Sequence, residues 1–134
     1  MEPGRQQVGS GGEFEDRYGY SRAVRVGRHI HVAGTTARPP DTDRDAYRQA
    51  TSALAIIAAA LESVGSSIDD VVRTVIYVTD VDDAPAVLRA HREMFDAIRP
   101  AVTLVAVHGL MGANTKVEIE AYAIAPAEQH RAGE

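Results

Sequence analysis

AVTLVAVH, residues 101–108, decides what kind of sheet this chain builds. Successive side chains of a strand point to opposite faces. Here both faces are apolar: Thr103, Val105 and Val107 on one, and Val102, Leu104, Ala106 and finally His108 on the other. Pro100 has no N–H to donate and stands where a strand can begin. The next strand, KVEIEAYAIA (residues 116–125), is two-sided. Val117, Ile119, Ala121 and Ala123 form an apolar face, and Glu118, Glu120 and Tyr122 point the other way. The linker GLMGANT joins the two.

Working backwards, RTVIYVTD (73–80) reads as a strand. It leads through Asp82 or Asp83 as cap and Pro85 in the first turn to a helix with Val87, Ala90, Met94 and Ile98 inward. A longer helix precedes it. Ala46, Ala50, Ala53, Ile57, Leu61 and Val64 recur at helical spacing, Thr42 or Asp43 is placed to cap the start, and Gly65 stops it. Between the helix and strand 73–80, SSIDDVV begins with serine caps and has room for one short turn. Ala23–Val26 and His29–Gly34 alternate around Gly27-Arg28, the signature of a hairpin. Residues 1–16 are rich in glycine and polar side chains without periodicity and are expected to form a flexible N-terminal arm, the domain to span 17–126, and 127–134 to form a flexible C-terminal tail.

The expected fold is therefore a single α+β domain of order β-β-α-β-α-β-β, with a mixed sheet and two helices on one face. That arrangement leaves the second sheet face uncovered, and an apolar uncovered face requires a partner. An oligomer follows.

The bulk numbers exclude several functions. With 134 residues, 45% apolar and 25% charged, the chain suits one globular domain. A net charge of −5 argues against a nucleic-acid surface. The absence of cysteine removes disulfides, zinc thiolates and thiol nucleophiles. No apolar run reaches membrane-spanning length and no signal peptide is visible, so a cytoplasmic location is expected.

Four stretches now stand in order: YSRAVRVGRHIHVAGTTA (20–37), SSIDDVVRTVIYVTDVDD (66–83), RPAVTLVAV (99–107) and KVEIEAYAIA. Together they resemble the YjgF–RidA family over about residues 18–125. The resemblance implies a chorismate-mutase-like trimeric barrel: a homotrimer with helices outside and a small-molecule pocket between neighbouring subunits. It also implies cofactor-independent, metal-independent hydrolysis of reactive enamines and imines to keto acids and ammonia. By the same resemblance, Tyr20 is the pocket tyrosine, Gly34 the glycine whose backbone approaches the ligand, and Glu118 the water-orienting acid. Elsewhere the chain departs from the family. Val102 stands where the family has the arginine that grips the substrate carboxylate, Ala33 replaces a serine, Leu88 an asparagine and Leu104 a cysteine. A buried carboxylate without a partner costs several kcal/mol, and Val102 offers none of the bidentate pairing an arginine would. Small 2-imino acids are therefore expected to bind poorly unless Arg99 or Arg22 takes over.

Each candidate also has a plainer reading. Glu118 is either a general acid/base raised towards neutrality by apolar walls, or a carboxylate paired with Arg99 or with a neighbouring subunit's arginine. Glu120 shares its face and reads best as an interface ion-pair residue. Tyr20 either touches ligand or packs at a subunit edge. The amides after Gly34, at Thr35 and Thr36, can form an oxyanion site, or their hydroxyls can satisfy their own loop. His108 is a possible base in the Val102 pocket, or a solvated strand end. His29 and His31 lack a visible third ligand, so no metal site is expected. His91 and the RAHRE run read as a solvated helix face. Three functions stay open: an enzyme for an imine, enamine or related electrophile, a non-catalytic small-molecule binder, and a structural trimer.

Overall fold

The computed structural model describes residues 4–127; residues 1–3 and 128–134, and with them nearly all of the expected tail, lie outside the described residues. Six strands form one sheet in the order β1-β2-β3-β6-β4-β5, where β1 is Arg5–Val8, β2 Ala23–Val26, β3 His29–Thr35, β4 Val71–Val78, β5 Ala101–Ala106 and β6 Val117–Ile124. The pair β4–β5 is parallel and every other pair antiparallel. The sheet is mixed because α3 (Ala84–Phe95) carries the chain from β4 across to β5.

The last strand, β6, lies between β3 and β4. Its inward residues Val117, Ile119, Ala121 and Ala123 are buried against α2 (Ala46–Ser63), which packs across β3 and β6, while α3 packs against α2. Ala46, Ala50, Ala53 and Ala60 line the buried face of α2, and their small side chains let the helix backbone approach the sheet. Asp45, and neither Thr42 nor Asp43, caps this helix by accepting the Arg48 amide at 2.9 Å. Val64 is its C-terminal cap and Gly65 follows at φ 78°, a left-handed conformation that glycine takes without strain. The short turn expected in SSIDDVV is a 3-10 turn, Ile68–Asp70, capped by Ser67.

Two elements were not legible from side-chain pattern. Residues 5–8 form an edge strand on β2, and residues 13–18 form α1 (Glu13–Tyr18), so the stretch expected as an arm without regular structure carries a strand and the start of a helix. Strand pairing uses main-chain groups that every residue here possesses, so RQQV needs no apolar alternation to join an edge. The helix is held by one buried residue, Glu15. His91 also departs from expectation. It is buried on α3, with its Nε2 2.8 Å from the Thr74 hydroxyl on β4, and desolvation holds its pKa below the usual histidine value. No helix among the described residues is long and apolar enough to cross a membrane.

Candidate functional site

The site begins with an irregularity in β3. Val32 pairs with Ala121, but Thr35 pairs with Ile119, so three steps along β3 match two along β6. The extra residue makes a bulge at Ala33-Gly34, which turns the backbone out of the ladder. Glu118 on β6 lies directly over Gly34: a Cβ built on that glycine would stand 2.1 Å from Glu118 Oε2 and 3.0 Å from its carboxyl carbon. Glycine is required here because the carboxyl occupies the space a side chain would need.

Glu118 is half-buried. Desolvation pushes its carboxyl above the ordinary glutamate range, the neighbouring Glu120 charge adds to the rise, and Arg22 opposes it. Arg99 is not its partner: that guanidinium bonds Asp96 at 2.9 Å, at the far end of α3. Glu120 is held within the chain by the Tyr77 hydroxyl at 2.8 Å and by the Tyr122 hydroxyl, and these bonds, with burial adding to them, raise both phenols. This tyrosine clasp stands where the sequence suggested an interface ion pair. His31 meets Tyr122 edge-on, 5.3 Å between ring centres. No cluster of three metal-ligating side chains occurs among the described residues.

A cleft of about 800 Å³ opens above Glu118. Its walls are the bulge and the loop after it, the linker Met111–Thr115, residues 11–14 at the start of α1, and Tyr20. Tyr20, Ala33, Gly34, Thr35 and Glu118 thus line one cleft. The Thr35 side chain is fully buried, and its hydroxyl donates to the Ala33 carbonyl at 2.7 Å, so it serves its own loop.

The other candidates lie elsewhere in the chain. Val102, 44% exposed, lines a second hollow of about 420 Å³ with His91, Phe95 and Arg99. Leu88 is on the outer face of α3, and Leu104 packs partly against the core. His108 is exposed beyond the end of β5, which stops at Ala106.

Sequence reasoning missed the cleft's polar frame. Arg22, considered only as a stand-in for the missing arginine, is buried and bonded to Glu15 at 3.0 Å, the Gly34 carbonyl at 2.6 Å and the Thr35 hydroxyl at 3.0 Å. Burial alone would raise Glu15, but bonds from the Ser10 hydroxyl and amide and from Arg22 outweigh it and hold that carboxyl below its ordinary range. Arg38 donates to the Ser10 hydroxyl at 2.6 Å and lies 3.8 Å from Glu15. The one available signal was alternation: Ala23 faces the core, so Arg22 must face the side of the sheet that carries Glu118.

The family model described as Endoribonuclease L-PSP matches residues 12–125. An uncharacterised protein of Streptomyces coelicolor is 38% identical over 122 residues, which is 87% of this chain and 91% of that one. A 2-iminobutanoate/2-iminopropanoate deaminase of Dermatophagoides farinae is 30% identical over 112 residues, covering 78% of this chain and 84% of the relative. The crystal structure of Rv2704 from Mycobacterium tuberculosis, described as a member of the YjgF/YER057c/UK114 family, superposes with a TM-score of 0.85 at 45% identity, covering 90% of this chain and 99% of that one. A mixed sheet with its two longer helices on one face, a glycine bulge under a glutamate, and matches of this extent agree with one another: the chain belongs to the YjgF–RidA family.

Proposed function

We propose that the protein hydrolyses a small imine, enamine or related electrophile that lacks an amino-acid carboxylate, with Glu118 as acid/base and Tyr20 positioning the substrate. The observation that carries the reading is the Glu118 carboxyl, seated on Gly34 in a large cleft and pushed up by burial. A carboxyl titrating nearer neutrality can both take and return a proton. Glu118 accepts a proton from water as the water oxygen bonds to the C=N carbon. It then returns that proton to nitrogen, and the carbinolamine hydroxyl proton passes to nitrogen as the C–N bond breaks, leaving a carbonyl compound and ammonia or an amine.

Two observations favour a substrate without the carboxylate. The cleft's guanidinium groups, Arg22 and Arg38, are both already engaged by Glu15 and Ser10. The position after Pro100-Ala101 is a valine. In this the chain departs from what the name of its Dermatophagoides relative says that relative acts on.

The second part of the proposal is assembly as a homotrimer with the ligand between subunits. Its support is that Leu88, Val102, Leu104 and His108 do not line the Glu118 cleft of their own chain. A neighbouring subunit would bring them to it, and it would also cover the exposed Val102 and Val105 of the edge strand β5. Ala33 and these residues would then make an apolar pocket.

The test is to screen uncharged acyclic imines, such as aryl aldimines, beside 2-iminopropanoate, following the release of ammonia or amine. Turnover of an uncharged imine that falls about 10²–10⁴-fold in Glu118→Gln, with binding little changed, is expected. Fast 2-iminopropanoate turnover would overturn the substrate class. Turnover that Glu118→Gln leaves intact would remove Glu118 as the acid/base, and no turnover of any imine would leave a binder or a structural trimer.

A further inference from the structure

The catalytic assignment makes no use of Arg22, although it is the cleft's most deeply buried charge, only 4% exposed. A guanidinium presents five N–H groups in a rigid fork, and here the fork reaches four different partners. Nε donates to Glu15 at 3.0 Å, Nη1 to the Gly34 carbonyl at 2.6 Å and the Thr35 hydroxyl at 3.0 Å, and Nη2 to the Tyr20 hydroxyl at 3.4 Å. Its charge also lies 5.5 Å from the centre of the Tyr20 ring. Glu15 balances that charge from α1 and is itself anchored by Ser10, whose amide donates to it at 2.8 Å.

Two consequences follow from the donor directions. The Gly34 carbonyl is tied down, so the bulge cannot slide away from Glu118. The Tyr20 oxygen accepts a hydrogen bond from Arg22, which leaves its own O–H free to donate. We infer that Arg22, balanced by Glu15, is the positioning residue of this cleft: it holds Gly34 under Glu118 and sets the Tyr20 hydroxyl as a donor, without acting as the ligand's counter-ion. Lysine, a point charge with no fork, cannot hold these partners together. The inference rests on the Glu118–Tyr20 reading of the site, but its test needs no substrate.

Glu118 is faced by Glu120 from its own strand, Tyr77 from β4, and Arg22 and Tyr20 from the β2 side, with Glu13, Arg38 and Asp43 on the walls of the cleft. Arg22 is the cation that holds its titration down. The experiment is carboxyl-carbon NMR titration of the free full-length protein, with the Glu118 resonance assigned by its loss in Glu118→Gln, together with amide hydrogen exchange at Gly34 and Thr35. The charge-balanced double variant Glu15→Gln/Arg22→Gln should move the Glu118 titration upward and speed exchange at Gly34 and Thr35 at least about tenfold, with Ile76 in the core unchanged. Arg22→Lys keeps the charge and loses the fork. It should leave the titration near its original place while the same two amides exchange faster.

An unmoved titration in the double variant, or unchanged exchange at the bulge in either variant, overturns the inference. Should the double variant fail to fold, exchange in Arg22→Lys decides alone. If these shifts appear and Glu118→Gln has no catalytic effect, the hydrolytic proposal falls and the positioning role of Arg22 stands.

Discussion

Gln49 offers a sharp test of how the cleft is built. It sits on the buried face of α2 and is 1% exposed. Its Nε2 reaches the carbonyls of Thr42 at 3.2 Å, Arg44 at 2.9 Å and Asn114 at 2.9 Å, and its Oε1 receives the Lys116 amide at 2.8 Å. One side chain thus staples together the two loops that form the rim of the cleft, with an outer bond from Asn114 to Asp43 at 2.7 Å. Gln49→Leu keeps nearly the same volume and removes every bond. It orphans the Lys116 N–H and at least one carbonyl, each costing about 1–3 kcal/mol. The added apolar burial returns about 1 kcal/mol. The net loss is about 1–5 kcal/mol, read by urea denaturation at fixed protomer concentration, with a lower midpoint and an unchanged slope. Gln49→Ala opens space in which a water can satisfy the same groups, so it should cost no more than leucine. If leucine costs under about 0.5 kcal/mol, or is clearly milder than alanine, Gln49 is packing and the staple argument is wrong.

Analytical ultracentrifugation at micromolar concentration should give three times the chain mass; a monomer would remove the intersubunit pocket. His91 sets an acid limit on stability. Its folded pKa lies below the usual histidine value of 6.5, so the unfolded chain binds the proton first. Its contribution is full above pH 6.5 and is lost as pH falls below that value towards the lower folded one. His91→Gln should flatten stability across that window, and an unchanged pH slope would exclude the buried, neutral imidazole.

Much of this molecule is legible from local pattern. The alternation of VEIEAYA assigned each residue of β6 to a face before any partner was known, because the strand period is two whatever lies beside it. The alanine stripe marked the side of α2 that meets the sheet, and Gly65 marked the region of its end, because both depend on residues within a turn or two. Tyr20, Gly34 and Glu118, singled out by the resemblance of their motifs, line one cleft. Tertiary structure alone decided the rest. No local signal says that β6, last in the chain, inserts between β3 and β4, yet that insertion brings Glu118 over a glycine 84 residues before it. The bulge at Ala33-Gly34 appears only as a mismatch between two distant strands. Arg22 and Glu15, ordinary surface types by composition, are buried because they neutralise each other, and His91 because Thr74 satisfies its ring nitrogen. Burial of a charged or polar side chain depends on a partner that sequence spacing does not reveal, whereas burial of an apolar one needs only a face, and a face is what periodicity encodes.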